Sequence, residues 1–457
     1  MKKGGEIKKE TFLAWKTGGD DGPSPEGMKQ HPLSLVGVGC GGRTLTYCGL
    51  AARQPGRYRV IAGADPLAHR VNKLAGMSQN PGFRAFASDA ELFAAGRLAD
   101  VAIIGTQDAY HVEPALRAME VGYDVLLEKP IAPNPSDILK LEAAAVRLGR
   151  KVMVCHVLRY SPFYEKVKEI LETGILGDIV SVDAREGVGA WHQSHSYVRG
   201  HWAVSGKATP MLIAKSCHDL DIIAWLVGCP CEKVSSFGSL QHFTAAHAPE
   251  GAPARCTDGC PVGDTCFYNA LHYAGRQRVW LQWVMDGSDD AGEAEVAAWL
   301  KTSPWGRCVY RCDNDAVDHQ VLAMRFAGGA TATFTMTAFD SGRDITICGT
   351  CATLRGGESV KSQSGHDIIV QEHSGNTTRY GVRIEEGGYG GHGGADTGLV
   401  NALDREMRKP MGEMRSGLPA SIESHLIGYA AEESRHSGQT VNLAGFREKM
   451  RGVNQRL

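Results

Sequence analysis

The tightest constraint on this chain is a glycine loop set between a strand and a helix. The run LSLV, Leu33 to Val36, leads into GVGCGGR, Gly37 to Arg43, and a helical pattern, RTLTYCGLAARQ, follows. Gly37, Gly39 and Gly42 have the spacing G-x-G-x-x-G. Behind a strand, such glycines let the chain turn tightly and bring its backbone close to a pyrophosphate, while the next helix offers unpaired N–H groups and a positive dipole end. A second β-patterned run, YRVIAGAD, ends in Asp65, 23 residues after Gly42, near the ~20-residue separation at which an acid meets a ribose. That carboxylate can accept hydrogen bonds from both ribose hydroxyls and repels a 2′-phosphate, which predicts NAD in preference to NADP. Arg43 leaves two readings open, a contact to the pyrophosphate or a partner for the extra phosphate of NADP.

The same alternation continues. DVAIIGT is followed by HVEPALRAMEVG, in which Val112, Ala115, Leu116 and Met119 form one apolar helical face, and YDVLLEKP is followed by PSDILKLEAAAVRLG. Parallel βαβ units account for this pattern, so residues 31–156 are predicted to form a Rossmann domain. After KVMVCHVLRY the pattern changes to β runs: DIVSVDAREGVG, RVWLQWVM, QVLAMRFAGGATATFTMTAF and DITICGTCATLRGG, with helices predicted near 163–173, 218–227 and 420–435. Residues 157–457 therefore read as an α+β domain on a mostly antiparallel open sheet, with a Cys-rich insertion near 250–270. Residues 1–30 are polar, Gly- and Lys-rich and aperiodic, which predicts a disordered leader, with Met28 as an alternative start.

Composition narrows the function. The 457 residues suffice for two or more cores, and Lys+Arg 49 against Asp+Glu 51 with no basic stripe argues against nucleic acid. No apolar run reaches the ~20 residues that cross a bilayer, and no signal-peptide core opens the chain, so a soluble cytoplasmic protein with a small-molecule ligand is expected. The thirteen cysteines are odd in number and several lie in apolar segments, as reduced thiols do.

Together with the glycine loop, the stretches GADP, IIGTQDAYHVEPALRAMEVGYDVLLEKPIA, RYSPFYEKVKEILETGILGDIVSV and KSCHDLDIIAWLVG resemble the glucose-fructose oxidoreductase, inositol dehydrogenase and MocA family. The resemblance covers about 31–235 closely and the later β segments loosely. It implies a Rossmann domain, a substrate domain whose open sheet mediates homo-oligomerisation, and a nicotinamide cofactor used on sugars or cyclic polyols. Thr106, His111 and Glu128, within the resembling stretch, join Gly37, Gly39, Gly42, Arg43 and Asp65 as implied cofactor-binding residues.

The residues themselves support an enzyme. Lys129 in LLEKP stands at the carboxyl end of a predicted parallel strand, where open α/β sheets bind ligands. Beside Glu128 and aimed by Pro130, it can hold a substrate hydroxyl or share in proton transfer. In AKSCHDLD, a helix beginning near Ile213 would put Lys215 and His218 one turn apart. Removing a hydride from a carbinol also requires removing the hydroxyl proton, a role that suits His218; a structural histidine is the plainer reading. The family usually has an Asp four residues before this His, and here the position is Ala214. Asp219 and Asp221 are read equally as helix caps, as partners of nearby cations and as catalytic groups.

GAWHQSHSYVRGHW, Gly189 to Trp202, is expected to be a loop that presents Trp191, Tyr197, Arg199 and Trp202 as a sugar-binding wall, with His392 of YGGHGGAD reaching the same substrate. His192 and His195 have a metal-like spacing but no defined third ligand. In ARCTDGCPVGDTC, Cys256, Cys260 and Cys266 leave two readings, a structural zinc in place of a hydrophobic core and free thiols. The leading function is an NAD-dependent dehydrogenase for a secondary hydroxyl of a sugar, glycoside or cyclic polyol, with Lys129, His218 and Lys215 as catalytic groups. Its alternatives are an NAD-dependent redox glycosidase and a non-catalytic NAD-bound sensor.

Overall fold

The computed structural model describes residues 10–15 by their backbone, and residues 31–362, 365–383 and 392–454. Strand β1, Glu10–Trp15, belongs to the segment expected as a disordered leader and corrects that expectation locally. ETFLAW is a short run of β-formers that finds an open sheet edge, pairing in parallel with Thr377–Val382. The rest of 1–30 lies outside the described residues.

The first sheet is parallel throughout. It comprises β2 (Leu33–Val38), β3 (Tyr58–Ala64), β4 (Arg84–Phe86), β5 (Val101–Ile104), β6 (Asp124–Leu127) and β7 (Val152–Val154), in the order β4-β3-β2-β5-β6-β7. The strand order reverses between β2 and β5, which opens a crevice at their carboxyl ends. Helices α1 (Gly42–Ala52), α2 (Ala68–Ser78), α3 (Asp89–Ala94), α4 (Val112–Val121) and α5 (Pro135–Leu148) connect the strands. Burial explains the near-continuous apolar strands: every residue of β5 is buried.

The second sheet has the order β1-β15-β14-β13-β12-β8-β11-β10-β9-β16, built from β8 (Ile179–Val188), β9 (Cys231–Ser239), β10 (His319–Phe326), β11 (Thr331–Thr337), β12 (Ser341–Gly349), β13 (Ala352–Ser362), β14 (Gly365–Glu372), β15 (Thr377–Val382) and β16 (Val441–Asn442). Its neighbours are antiparallel except for β8 with β11 and β1 with β15. Strand β11 alternates exposed Thr331 and Thr333 with buried Ala332, Phe334 and Met336, as a sheet with one covered face requires. One apolar core runs from Val36 and Ile104 of the first sheet to Leu322 and Phe334 of the second. Among the described residues no helix is long and apolar enough to cross a membrane.

Three expectations change. RVWLQWVM is not a strand: Arg278–Trp283 forms a 3-10 helix, in which Leu281 is buried and Trp280 packs against the same small core while Val279 stays 63% exposed, a helical rather than an alternating pattern. The insertion holding it fills the whole interval between β9 and β10 and has small cores, one in which its Tyr273, Leu300 and Trp305 pack with Trp191 from the segment after β8. The helix expected from Ile213 is broken into Met211–Ala214 and Cys217–Val227.

Helix Leu418–Ser437 packs on β9 and on Cys217–Val227. Its His425 Nε2 accepts the Ile131 N–H at 3.0 Å, and its Tyr429 hydroxyl donates to the Ala132 carbonyl at 2.6 Å. The segment after Lys129 is thereby clamped to the second domain. Nearby, Arg159 meets Asp221 at 2.6 and 2.7 Å, with both side chains buried. Burial pushes the Asp221 carboxyl up and Arg159 opposes it. Removing one partner strands a buried charge, so Asp221→Ala should cost about 3–5 kcal/mol in urea unfolding. A loss within the error of the measurement would show that Arg159 finds another partner.

Candidate active site

Three strand ends meet at the crevice. Gly39 has φ 74°, and a Cβ there would lie 2.8 Å from the Thr106 backbone, so glycine is required where the loops after β2 and β5 touch. The Cys40 N–H donates to Asp65 Oδ2 at 2.8 Å, and the Leu67 N–H donates to Oδ1 at 2.9 Å. The acid ending β3 thus also shapes the glycine loop. Each of its oxygens has a second lone pair for a ribose hydroxyl. Helix α1 starts at Gly42 behind Gly41, which offers no side-chain cap and so leaves amide N–H groups for a phosphate. These residues fit a dinucleotide.

Other residues expected at the cofactor have additional partners. Arg43 donates to Glu128 at 2.9 Å and to Asp396 at 2.5 and 3.1 Å, so its guanidinium is committed inside the protein. His111 has Nδ1 2.7 Å from the Pro130 carbonyl and Nε2 3.0 Å from the Thr106 carbonyl, tying two loops together instead of presenting a free ring nitrogen. Gly42 lies under the insertion: a Cβ there would lie 2.3 Å from the Trp283 ring. Asp286 continues this contact, 3.3 Å from His69 and 3.4 Å from Arg70.

At the end of β6, Glu128 accepts the Lys129 N–H at 2.8 Å and the Tyr47 hydroxyl at 2.6 Å. Burial raises its carboxyl, but Arg43, Lys129 and Tyr47 together hold it below the usual range. Lys129 Nζ donates to the Ala214 carbonyl at 2.7 Å, across the domain boundary. His218 is 2% exposed and its Nδ1 has no partner. Burial first, then Lys129, His392 and His156, hold its pKa well below the ordinary value, so the ring is neutral. Lys215 pairs with Glu186 Oε1 at 2.9 Å. The sequence reading missed Glu186, since a lone acid in β8 carries no local signal. It is held by Lys215 and Arg343, while Arg343 Nε also donates to Asp219 at 2.7 Å. Burial, against Arg343 and with Glu186 beside it, pushes Asp219 up to about 7. Asp219 and Asp221 therefore pair with cations from distant segments.

The expected sugar-binding loop is corrected. Ala190–His192 and Gln193–Val198 form one helical stretch, which turns successive side chains in different directions. Trp191 is buried among Tyr273 and Phe267 of the insertion. Arg199 is 3% exposed and donates to the Arg307 and Tyr268 carbonyls at 2.7 and 2.6 Å, away from the crevice. Tyr197 is buried beside Trp202, and the Trp202 indole donates to Asp108 of the first domain at 2.7 Å. His192 stays partly exposed, and burial with Lys215 beside it holds its pKa down to about 3. His392 lies 5.6 Å from His218, ring to ring, and 3.3 Å from Asp396. Tyr389 to Gly391 of the same stretch lie outside the described residues. The zinc expected at Cys256, Cys260 and Cys266 is not supported: among the described residues no three His, Cys, Asp or Glu side chains are grouped to hold an ion.

Comparison with known proteins agrees with this architecture. Residues 33–156 match the NAD-binding Rossmann fold model of the oxidoreductase family, and residues 168–443 match its C-terminal alpha/beta domain. The chain belongs to the Gfo/Idh/MocA oxidoreductase family. It is 26% identical to the putative oxidoreductase YteT of Bacillus subtilis over 66% of this chain and 72% of that protein. It is 31% identical to the inositol 2-dehydrogenase of Streptomyces avermitilis over 33% of this chain and 40% of that enzyme. An oxidoreductase from Agrobacterium radiobacter, solved with NAD+, L-tartaric acid and magnesium, shares the fold with a TM-score of 0.64 at 16% identity, covering 90% of this chain and 99% of that one. The WlbA dehydrogenase from Bordetella pertussis, solved with NADH and UDP-GlcNAcA, does so with a TM-score of 0.61 at 18% identity, covering 90% and 98%.

Two measurements test the site. Asp65→Ala should lose about 1.5–3 kcal/mol of NAD affinity, the value of hydrogen bonds to a charged acceptor, and should narrow the gap between NAD and NADP. Tighter binding of NADP than NAD by the parent protein would overturn the assignment. Lys129→Met removes a cation that disfavours the imidazolium of His218, so the pKa of that ring should rise while burial keeps it depressed. NMR titration of the histidine rings reads the shift, and an unchanged or lower value refutes the coupling.

Proposed function

We propose that the protein transfers a hydride between nicotinamide and a secondary hydroxyl of a sugar, glycoside or cyclic polyol, with NAD preferred over NADP. The reading is carried by Lys129, placed where the ends of the parallel strands meet the second domain, beside a buried neutral His218 with an unpartnered Nδ1. Nicotinamide, when bound, accepts the hydride from the carbinol carbon. Lys129 holds the hydroxyl oxygen and favours its developing negative charge. His218 accepts the hydroxyl proton and is already in the form able to do so. Lys215, paired with Glu186, orients the substrate. Loss of the hydride to the cofactor and of the proton to His218 leaves a ketone.

The substrate class draws support from relatives named inositol 2-dehydrogenase and from a fold neighbour solved with a nucleotide sugar. The open face of the second sheet supports homo-oligomerisation. Phe237 of β9 and Val321 of β10 are cross-strand partners, 69% and 41% exposed, and Val180 of β8 is 52% exposed.

A redox glycosidase remains a second reading because of His192. Oxidation acidifies the C–H beside the new ketone, and a partly exposed neutral imidazole next to Lys215 is a base able to take that proton. Cofactor balance separates the two. With a panel of glycosides, free sugars and cyclitols and excess NAD, the dehydrogenase should form one NADH per substrate oxidised and leave glycosidic bonds intact. Released aglycone without net NADH would overturn the leading reading. Retained NAD binding with no activity on any substrate, unaltered by Lys129→Ala, would point to a sensor.

A further inference from the structure

The insertion brings one acid to the first domain. Its 3-10 helix Arg278–Trp283 is anchored from inside: Leu281 and Met285 are buried in the same small core, and the Leu281 carbonyl accepts the Val284 and Met285 N–H groups at 2.9 and 2.8 Å. Arg278 donates to the Ser288 carbonyl at 2.9 Å and to the Ala291 carbonyl, which closes the turn carrying Asp286. On the same stretch the Trp283 ring lies against Gly42. Asp286 thereby meets the first domain, with Oδ1 3.3 Å from His69 Nε2 and 3.4 Å from Arg70 Nη2.

Both partners stand in the first turn of α2, immediately beyond Asp65 in the chain. The Leu67 N–H donates to Asp65 Oδ1 at 2.9 Å, so this turn is tied to the acid that suits the ribose hydroxyls. In dinucleotide folds an arginine near that acid accommodates the 2′-phosphate of NADP. Arg70 has the position for it, because its charge reaches the glycine loop: burial and Asp65 push the Cys40 thiol up to about 12, and the hydrogen bond to Ala64 and Arg70 oppose them. Arg43, the other cation considered for that phosphate, is committed to Glu128 and Asp396. Taken alone, the first domain would set an arginine and an imidazole against the single repulsion of Asp65.

We infer that Asp286 is a specificity residue for the cofactor, supplied by the second domain: it occupies Arg70 and His69 and adds a negative charge near the ribose, so that a 2′-phosphate is refused. The inference rests on the proposed preference for NAD. Asp65 repels a 2′-phosphate but leaves it a guanidinium to pair with. With Asp286 on Arg70, NADP has to displace an ion pair and bring its phosphate near two carboxylates, a repulsive element of the kind that separates similar ligands. NAD, with a free 2′-hydroxyl, meets no such cost. Asp286 is 57% exposed and Arg70 36%, and ion pairs so open to water contribute little to stability. Discrimination between ligands is a use that such an exposed pair can still serve.

Calorimetric titration of the full-length protein with NAD and with NADP tests this. Asp286→Asn should tighten NADP about five- to tenfold at low ionic strength, the effect of removing roughly one unit charge a few ångströms away in a solvated setting. Its NAD affinity should stay within about twofold of the parent value, and the NADP gain should shrink as salt is added. Asp286→Asn combined with Arg70→Gln should lose most of the gain. A parent protein that binds NADP more tightly than NAD, or neither, overturns the NAD reading and this inference with it. A parent that prefers NAD, with the ratio of the two affinities unchanged in Asp286→Asn, overturns this inference alone. So does an equal change in both affinities, which would mean that the acid only seats the insertion, or a full gain kept after Arg70→Gln.

Discussion

A carboxylate buried at the end of a strand must be neutralised, and the way Glu128 is neutralised organises the crevice. Its oxygens accept from Arg43 and Tyr47 on α1 and from the N–H of Lys129. Arg43 carries the connection on to Asp396, at the start of helix Ala395–Arg408, and Asp396 faces His392, whose ring lies against His218. One chain of charge therefore runs from the glycine-loop helix, past the proposed catalytic lysine, to the proposed proton acceptor on the other domain. In a low-dielectric interior, opposite charges must alternate along such a chain or leave one ion unpaired at a cost of several kcal/mol. Arg43 with its two carboxylates satisfies this, and Lys129 supplies the remaining cation with its Nζ turned toward the second domain.

The same electrostatics fixes the state of the histidines. His218, His156, His192 and His425 are all held below the ordinary imidazole value, by burial first, and for each of them Lys129 is a further cation acting in the same direction. Across the physiological range these rings are neutral, so a proton acceptor is available without prior titration. The counterweight is the Glu186, Asp219, Lys215 and Arg343 group. There, against burial, Arg343 and Lys215 lower Glu186, while burial and the Glu186 carboxylate beside it raise Asp219, so the two acids move in opposite directions although both pair with Arg343.

The Rossmann half was legible because its signals are local. A strand, a glycine turn, a helix and an acid follow one another within Leu33–Asp65, and the periodicity of α4 is written in ten consecutive residues. The second domain's strands were legible for the same reason. What escaped is what long-range packing decides. Glu186 and Asp396 are single acids whose partners, Lys215 and Arg43, are 29 and 353 residues away. RVWLQWVM has the composition of a strand and becomes a 3-10 helix in which Leu281 and Trp280 meet the insertion's small core. GAWHQSHSYVRGHW concentrates aromatic and basic residues as a binding loop would, yet winding into a helix buries Trp191 and Arg199 in the insertion and leaves His192 partly open beside the lysines.

Gly42 shows how a motif and its setting can require one residue for different reasons. In a dinucleotide fold the third glycine permits close packing of helix and strand. Here the space beside it is taken by Trp283 from the other domain, with Asp286 against His69 and Arg70 at the start of α2. A side chain at position 42 would displace Trp283, and the displacement would reach the acid-bearing loop between β3 and α2 through the Asp286 contacts. The insertion thus rests on both loops that a dinucleotide would touch, and its internal order bears on the crevice. That dependence couples a segment with small apolar cores to the most strongly specified part of the fold.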